Sequence, residues 1–358
     1  MKTKPILLSA LGALVFGTAA QAEETITVVS WGGAYTKSQV EAYHKPWIAK
    51  TGNKIISEDY NGGLSEVKAQ VEAGNVTWDI IDVELSDAVR GCDEGLLEEI
   101  DIVDIPAGAD GTPAVEDFID GAIRDCAVAN IVWSTIFAYD TSETTGVEGL
   151  KDFYDLEKFP GKRGMRKAPK ANLEMALIAD GVPHDKVYEV LSTPEGIDQA
   201  FAKLDTIKDQ VVWWEAGAQP PQLLADGEVV MTTAYNGRIF NAAIAEDKPF
   251  EVNWDGQILD FDLWVIPKGA PHKDAAMDFL KFSTATEQLA AQASYISYGP
   301  ARRSSGPLVG LFNDGKTEMA PHMPTAEANL KTALVNDFEF WADNQDELNE
   351  RFNAWLAN

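Results

Sequence analysis

The chain has 358 residues, 45% of them hydrophobic, with 29 Lys and Arg against 57 Asp and Glu, giving a formal net charge of −28. So acidic a surface repels nucleic acid and anionic membranes, which excludes both as principal partners, and it attracts cations. The apolar fraction supports a proper core, and the length suits two domains of ordinary size.

Residues 1–22, "MKTKPILLSALGALVFGTAAQA", begin with Lys2 and Lys4, continue through an apolar run from Ile6 to Phe16 and end on Ala20-Gln21-Ala22. That order reads as a signal peptide cut after Ala22, with an apolar run too short to remain as an anchor. An exported protein is therefore expected, and it is read as a periplasmic monomer. From residue 25 the pattern alternates between strands ("TITVVSW", "NKIISEDY", "WDIIDVE") and helices ("KSQVEAYHKPWIAKT", interrupted near Pro46, and "GLSEVKAQVEAG"). This alternation predicts a mostly parallel sheet with helices on both faces, an α/β fold.

In "SWGGAYTKS", Gly32 and Gly33 free the backbone to turn while Trp31 and Tyr35 flank it, either to stack on a ligand or to fill core. "DVELSD" puts Asp82, Glu84 and Ser86 on one face by two-residue alternation. A buried row of acids requires a cation, whereas a solvated strand end does not. Cys92 and Cys126 are expected to pair in an oxidising compartment, the alternative being two buried thiols.

"ANIVWSTIFAYD" is a long apolar strand, after which "GLKDFYDLEKFPGKRGMR" turns to charge and turn residues and a second run of units begins. "VVWWEAGAQPPQ" sets Trp213 and Trp214 on opposite faces of a strand, and "TTAYNGR" brings Tyr235, Asn236 and Arg238 to a strand exit. In "QILDFDLW", Asp260 and Asp262 point the same way among apolar neighbours. Partial burial gives this pair the greatest need of a partner, a cationic ligand or a structural arginine. Two α/β domains follow, with long strands near 131–139 and 259–267 passing between them and a cleft fed by strand-end loops.

"GLFNDGKT" at 310–317 satisfies the phosphate-loop pattern, but the turn-rich "GPARRSSGPLV" before it is no buried strand, and Pro321 would interrupt the required helix. It reads as a solvated loop. The histidines His44, His184, His272 and His322 are scattered, and no G-x-S-x-G, H-E-x-x-H or dinucleotide fingerprint occurs. No metal, cofactor or catalytic role is expected.

The order of "VVSWGGAY", "WDIIDVELSDAVRGCDEGLLEEID", "EKFPGKRGMR", "ADGEVVMTTAYNGR", "DLWVIPKGAPHKDAAMDFLKF" and "YISYGPA" resembles the periplasmic solute-binding proteins of ABC importers, and among them the spermidine/putrescine-binding branch. The resemblance implies a type II periplasmic-binding fold whose two lobes close on a solute and dock to a membrane permease served by a separate ATPase. Residues 23–135 with 260–358 would form one lobe and 136–259 the other. The family's site positions match Trp31, the loop Gly32 to Tyr35 with Gly33 in it, Glu84, Ser86, Tyr235, Asp262 and Tyr298. Trp214, Asp260 and Arg238 join them from the strand-end reading, Arg238 as an anchor for an acid group.

One departure stands out. Polyamine binders carry acids after "FPGK"; here "RGMRKAPKANLE" has Ala168 and Ala171 at those places, with Lys167 and Lys170 beside them. The expected ligand is a small amine of the polyamine type. The alternative is a zwitterion or anion such as an amino-acid derivative, an opine or a phosphonate, and an exported enzyme is the remoter reading.

Overall fold

The computed structural model describes residues 23–358; the signal-peptide reading of residues 1–22 falls outside them. The strands are β1 (Thr25–Ser30), β2 (Lys54–Asp59), β3 (Ile80–Glu84), β4 (Ile123–Arg124), β5 (Ala127–Asp140), β6 (Arg163–Arg166), β7 (Val211–Trp214), β8 (Met231–Tyr235), β9 (Phe250–Val265), β10 (Gly299–Pro300) and β11 (Leu334–Val335). They form one 11-stranded sheet in the order β2-β1-β3-β9-β5-β8-β6-β7, with the three shortest strands off that path. β1 pairs in parallel with β2 and β3, and β6 in parallel with β7 and β8. Between these parallel ends run β5 and β9, the 14- and 16-residue strands, antiparallel to each other along most of their length. Two α/β halves thus share their longest strands, with a cleft where the strand ends meet.

Each half has its own core. Val28, Ile80, Leu263, Trp264 and Phe279 belong to one cluster, and Phe137, Phe153, Met165, Leu173, Phe201 and Met231 to the other. Between them lies a smaller aromatic cluster that includes Tyr35, Trp133, Trp214, Tyr235 and Tyr298. The C-terminal helix Phe338–Ala357 departs from the expected division of the chain. It buries Trp341, Leu348 and Phe352 in the second cluster, while Asp346 meets Arg90 at 2.6 Å and Gln345 donates to Asp87 at 3.1 Å on the helix Leu85–Asp93 of the first half. An amphipathic helix that long covers both halves.

Three local expectations resolve physically. The segment 33–51 stays helical through Pro46, because a π-turn at Val40–His44 precedes it and the proline sits in the first turn of the next segment, where a missing N–H costs little. Cys92 and Cys126 are bridged, with Cα atoms 5.7 Å apart. In "GLFNDGKT" the Asp314 carboxylate accepts from the amides of Lys316 and Thr317 and from the Thr317 hydroxyl. Those amides are filled by the chain's own acid, so the loop is a local turn and no phosphate cradle. Among the described residues no helix is long and apolar enough to cross a membrane, and no group of acids, histidines or cysteines is arranged to hold a metal ion.

Candidate functional site

Between the halves lies a small cavity lined by Trp31, Tyr35, Glu84, Trp133, Tyr235, Arg238, Asp262 and Tyr298. Its walls come from strand ends and from the two long central strands. Trp31 follows β1; Glu84 closes β3; Trp133 lies in β5; Tyr235 ends β8; Asp262 lies in β9 directly opposite Glu84. Aromatic rings meet edge to face around it, Trp133 against Tyr235 with centroids 4.9 Å apart and Tyr35 against Tyr298 at 5.3 Å. Such packing offers ring faces to a methylene chain and fixes the rings in place.

The acids are unequal. Glu84 receives Arg166 Nη1 at 2.9 Å on one oxygen and Lys170 Nζ at 2.8 Å on the other, and Lys170 also reaches the Ser86 hydroxyl at 2.5 Å. Burial alone would raise the Glu84 pKa, but the positive charges of Lys170 and Arg166 and their hydrogen bonds hold it down at about 2. Among the described residues Asp262 has no cation beside it, and its one side-chain donor is Trp133 Nε1 at 2.7 Å. Burial first, then the negative charges of Asp82, Glu84 and Asp260, push its carboxyl well above the usual range. Behind it, Asp82 accepts from Tyr35 at 2.7 Å and from Gln39 at 2.5 Å, yet burial still lifts it to about 7. An acid held this way stabilises a positive charge placed against it.

Arg238 supplies the opposite sign. Its Nη1 and Nη2 donate to the carbonyls of Gly32 and Trp31 at 2.9 and 2.8 Å, joining the second half to the first, while Nε is buried without a partner. Two of a guanidinium's five donors are used by those carbonyls. The approach depends on Gly33: it has φ +59, and a Cβ there would stand 2.8 Å from Arg238 Nη1.

Of the residues expected from sequence, Trp31, Tyr35, Glu84, Tyr235, Arg238, Asp262 and Tyr298 line this cavity. Trp214 stands one ring back, edge to face against Tyr235 at 5.5 Å, while Trp213 on the other strand face packs against Phe352 and Trp355. Asp260 is buried and accepts from Asn336 Nδ2 at 2.9 Å and from the Phe261 amide, away from the cavity lining and not from an arginine. Ser86, the first residues of a helix having replaced the strand, meets Lys170 and no cavity. Asn236 accepts from the Ser134 amide and donates to the Ser297 carbonyl, pinning strand to loop. Trp133 was not expected. Its position within an apolar strand signals core, and only the indole N–H could have pointed to a polar partner. The basic loop also resolves: Arg166 and Lys170 reach across to Glu84, whereas Lys167 turns outward to Glu215 at 3.0 Å.

The geometry has counterparts among known proteins. The family described as bacterial extracellular solute-binding protein matches residues 41–325. The gamma-aminobutyric acid-binding protein of Pseudomonas aeruginosa is 44% identical over 346 residues, covering 96% of this chain and 94% of that protein. Two solved structures are similar at 32% identity over 93% of this chain: the PBP MotA from A. tumefaciens B6 in complex with glucopine, with a TM-score of 0.84 and 99% of its chain covered, and the Atu4243-GABA receptor, with a TM-score of 0.78 and 98% covered. The putrescine-binding periplasmic protein PotF of Escherichia coli K12 is 20% identical over 85% of each chain, so kinship with the polyamine branch is distant. A cleft between two α/β halves and a family match spanning most of the sequence lead to one assignment: the chain belongs to the bacterial extracellular solute-binding proteins and is the substrate-binding component of an ABC importer.

Proposed function

We propose that this protein captures a small ω-amino acid, a zwitterion of the 4-aminobutanoate kind, in the periplasm and delivers it to its permease without chemical change. One observation carries the reading: the cavity presents a single carboxylate that lacks a cation, Asp262, together with an arginine that has spare donors, Arg238, while the second acid, Glu84, is already neutralised by Arg166 and Lys170. An ammonium would sit against Asp262 and the methylenes against the rings, leaving the carboxylate to Arg238. A diamine fits worse, because its second ammonium meets a carboxylate held by two cations. The 44% identity to a gamma-aminobutyric acid-binding protein supports the same ligand class. It favours the zwitterion over the polyamine expected from the segment order.

Thermal unfolding with 4-aminobutanoate, putrescine and glutarate separates the readings, since a ligand that binds only the folded state raises Tm. The zwitterion should give the largest shift. A larger shift with putrescine would overturn the assignment and restore the polyamine.

A further inference from the structure

A second cavity lies against the first. It opens between the loop at 61–63, the basic loop at 166–170 and the C-terminal helix. Glu84 lines both cavities. Glu84 and the side chains bound to it stand between the two. On one side of Glu84, Arg166 lines the outer cavity with its guanidinium carbon 5.9 Å from the centre of the Tyr235 ring, which lines the inner one. Elsewhere the outer cavity's Gly62 lies against the inner cavity's Trp31, so close that a Cβ on Gly62 would come within 2.6 Å of the indole.

The wall is built firmly. Both oxygens of Glu84 are taken, and the loop that brings the two cations is held by Asn172, whose Nδ2 lies 2.7 Å from each of the carbonyls of Arg166 and Ala168. Ala171, next to Lys170, adopts φ 67, a left-handed conformation that costs a non-glycine residue on the order of 1–3 kcal/mol and persists where surrounding contacts impose it. The outer cavity is polar, with Asn61, Gln345 and Asn349 among its lining residues, so it would accept a hydrophilic extension if the passage were open.

We propose that Arg166, locked to Glu84 and stacked behind Tyr235, is the length-determining residue of this binding protein: it plugs the passage between the cavities and limits the solute to a short chain. The inference rests on the ω-amino acid reading and deepens it. A ligand one or two methylenes longer than 4-aminobutanoate must displace an ion pair, and a longer molecule with a polar tail is denied the outer cavity. Removing the guanidinium joins the two spaces while leaving Glu84 paired with Lys170.

The test is a calorimetric series with 4-aminobutanoate, 5-aminopentanoate and 6-aminohexanoate on the wild type, on Arg166→Ala and on Arg166→Ser. In the wild type, affinity should fall about tenfold or more from the four-carbon to the six-carbon ligand, the scale set by a chain that does not fit its pocket. In either variant that gap should close to within about threefold. Equal affinities across the wild-type series, or an unchanged length profile in a folded variant that still binds 4-aminobutanoate, would overturn the proposal. If no ω-amino acid binds the wild type, the ligand reading fails instead. The plug is then judged by the crystal structure of an Arg166 variant, where one continuous cavity supports it and two separate cavities overturn it.

Discussion

Asp262→Asn is the most informative single change, because it should move affinity and stability in opposite directions. Asp262 faces the cavity with one indole N–H as its side-chain donor, and burial together with Asp82, Glu84 and Asp260 raises its carboxyl well above the usual range. Replacing it removes a charge-assisted hydrogen bond to the ligand's ammonium, about 1.5–3 kcal/mol, which corresponds to a loss of roughly 10–150-fold in Kd. The empty protein should gain stability. A carboxyl whose folded-state pKa is raised favours the protonated folded form, so its contribution is fully present below the unfolded value of 3.8 and is lost as pH rises through the folded value. An isosteric amide at 262 carries no charge to bury, and relief of a buried, poorly partnered group, about 1–3 kcal/mol, would raise Tm at pH 8 by roughly 1–4 °C in a chain of this size. Titration calorimetry with 4-aminobutanoate and thermal unfolding at about pH 5 and pH 8 measure both effects. An unchanged Kd would remove Asp262 from the site, and a Tm gain that failed to grow with pH would refute the electrostatic argument.

The remaining predictions concern linkage, cross-linking and packing. Burial and acidic neighbours raise the Asp262 carboxyl, and an ammonium placed against it favours the ionised form, so affinity should rise with pH; an affinity that stays constant between about pH 5 and pH 8 would contradict this. Replacing Cys92 and Cys126 together by serine removes a cross-link across 34 residues, and the chain-entropy estimate of about 3–4 kcal/mol predicts a lower denaturation midpoint with ligand specificity intact. Gly237→Ala would place a methyl 2.6 Å from the Tyr298 ring and from Ile296. Overpacking of about 1–3 kcal/mol should drive that ring toward the cavity and weaken binding about tenfold or more, and an unaltered Kd would show that the ring has room to retreat.

How much of this was legible in sequence depends on the range of the forces involved. Strand-helix alternation and the two long apolar strands rest on local periodicity, and they lead to the shared central strands. The strand-end residues Trp31, Glu84 and Tyr235 were also readable, because a nearby turn marks where each strand stops, and Asp262 stood out by period two as an acid among apolar neighbours. What could not be read was which charges meet. Glu84 lies 82 residues from Arg166 and 86 from Lys170. Nothing local to "DVELSD" or "RGMRKAPK" says that one acid is neutralised and another left bare. The loss of acids at Ala168 and Ala171 did signal a change of polarity, but its meaning appears only when the halves close. Trp133 illustrates the converse. All but the last of the fourteen residues of β5 are buried, so an indole in that setting reads as filling until its N–H is seen to face Asp262. In a cleft made by two halves, the residue types are local information and the ligand's charge pattern is not. If an ω-amino acid is the ligand, as proposed, that pattern is set by the ion pairs the protein forms with itself, and the acid left over selects the solute.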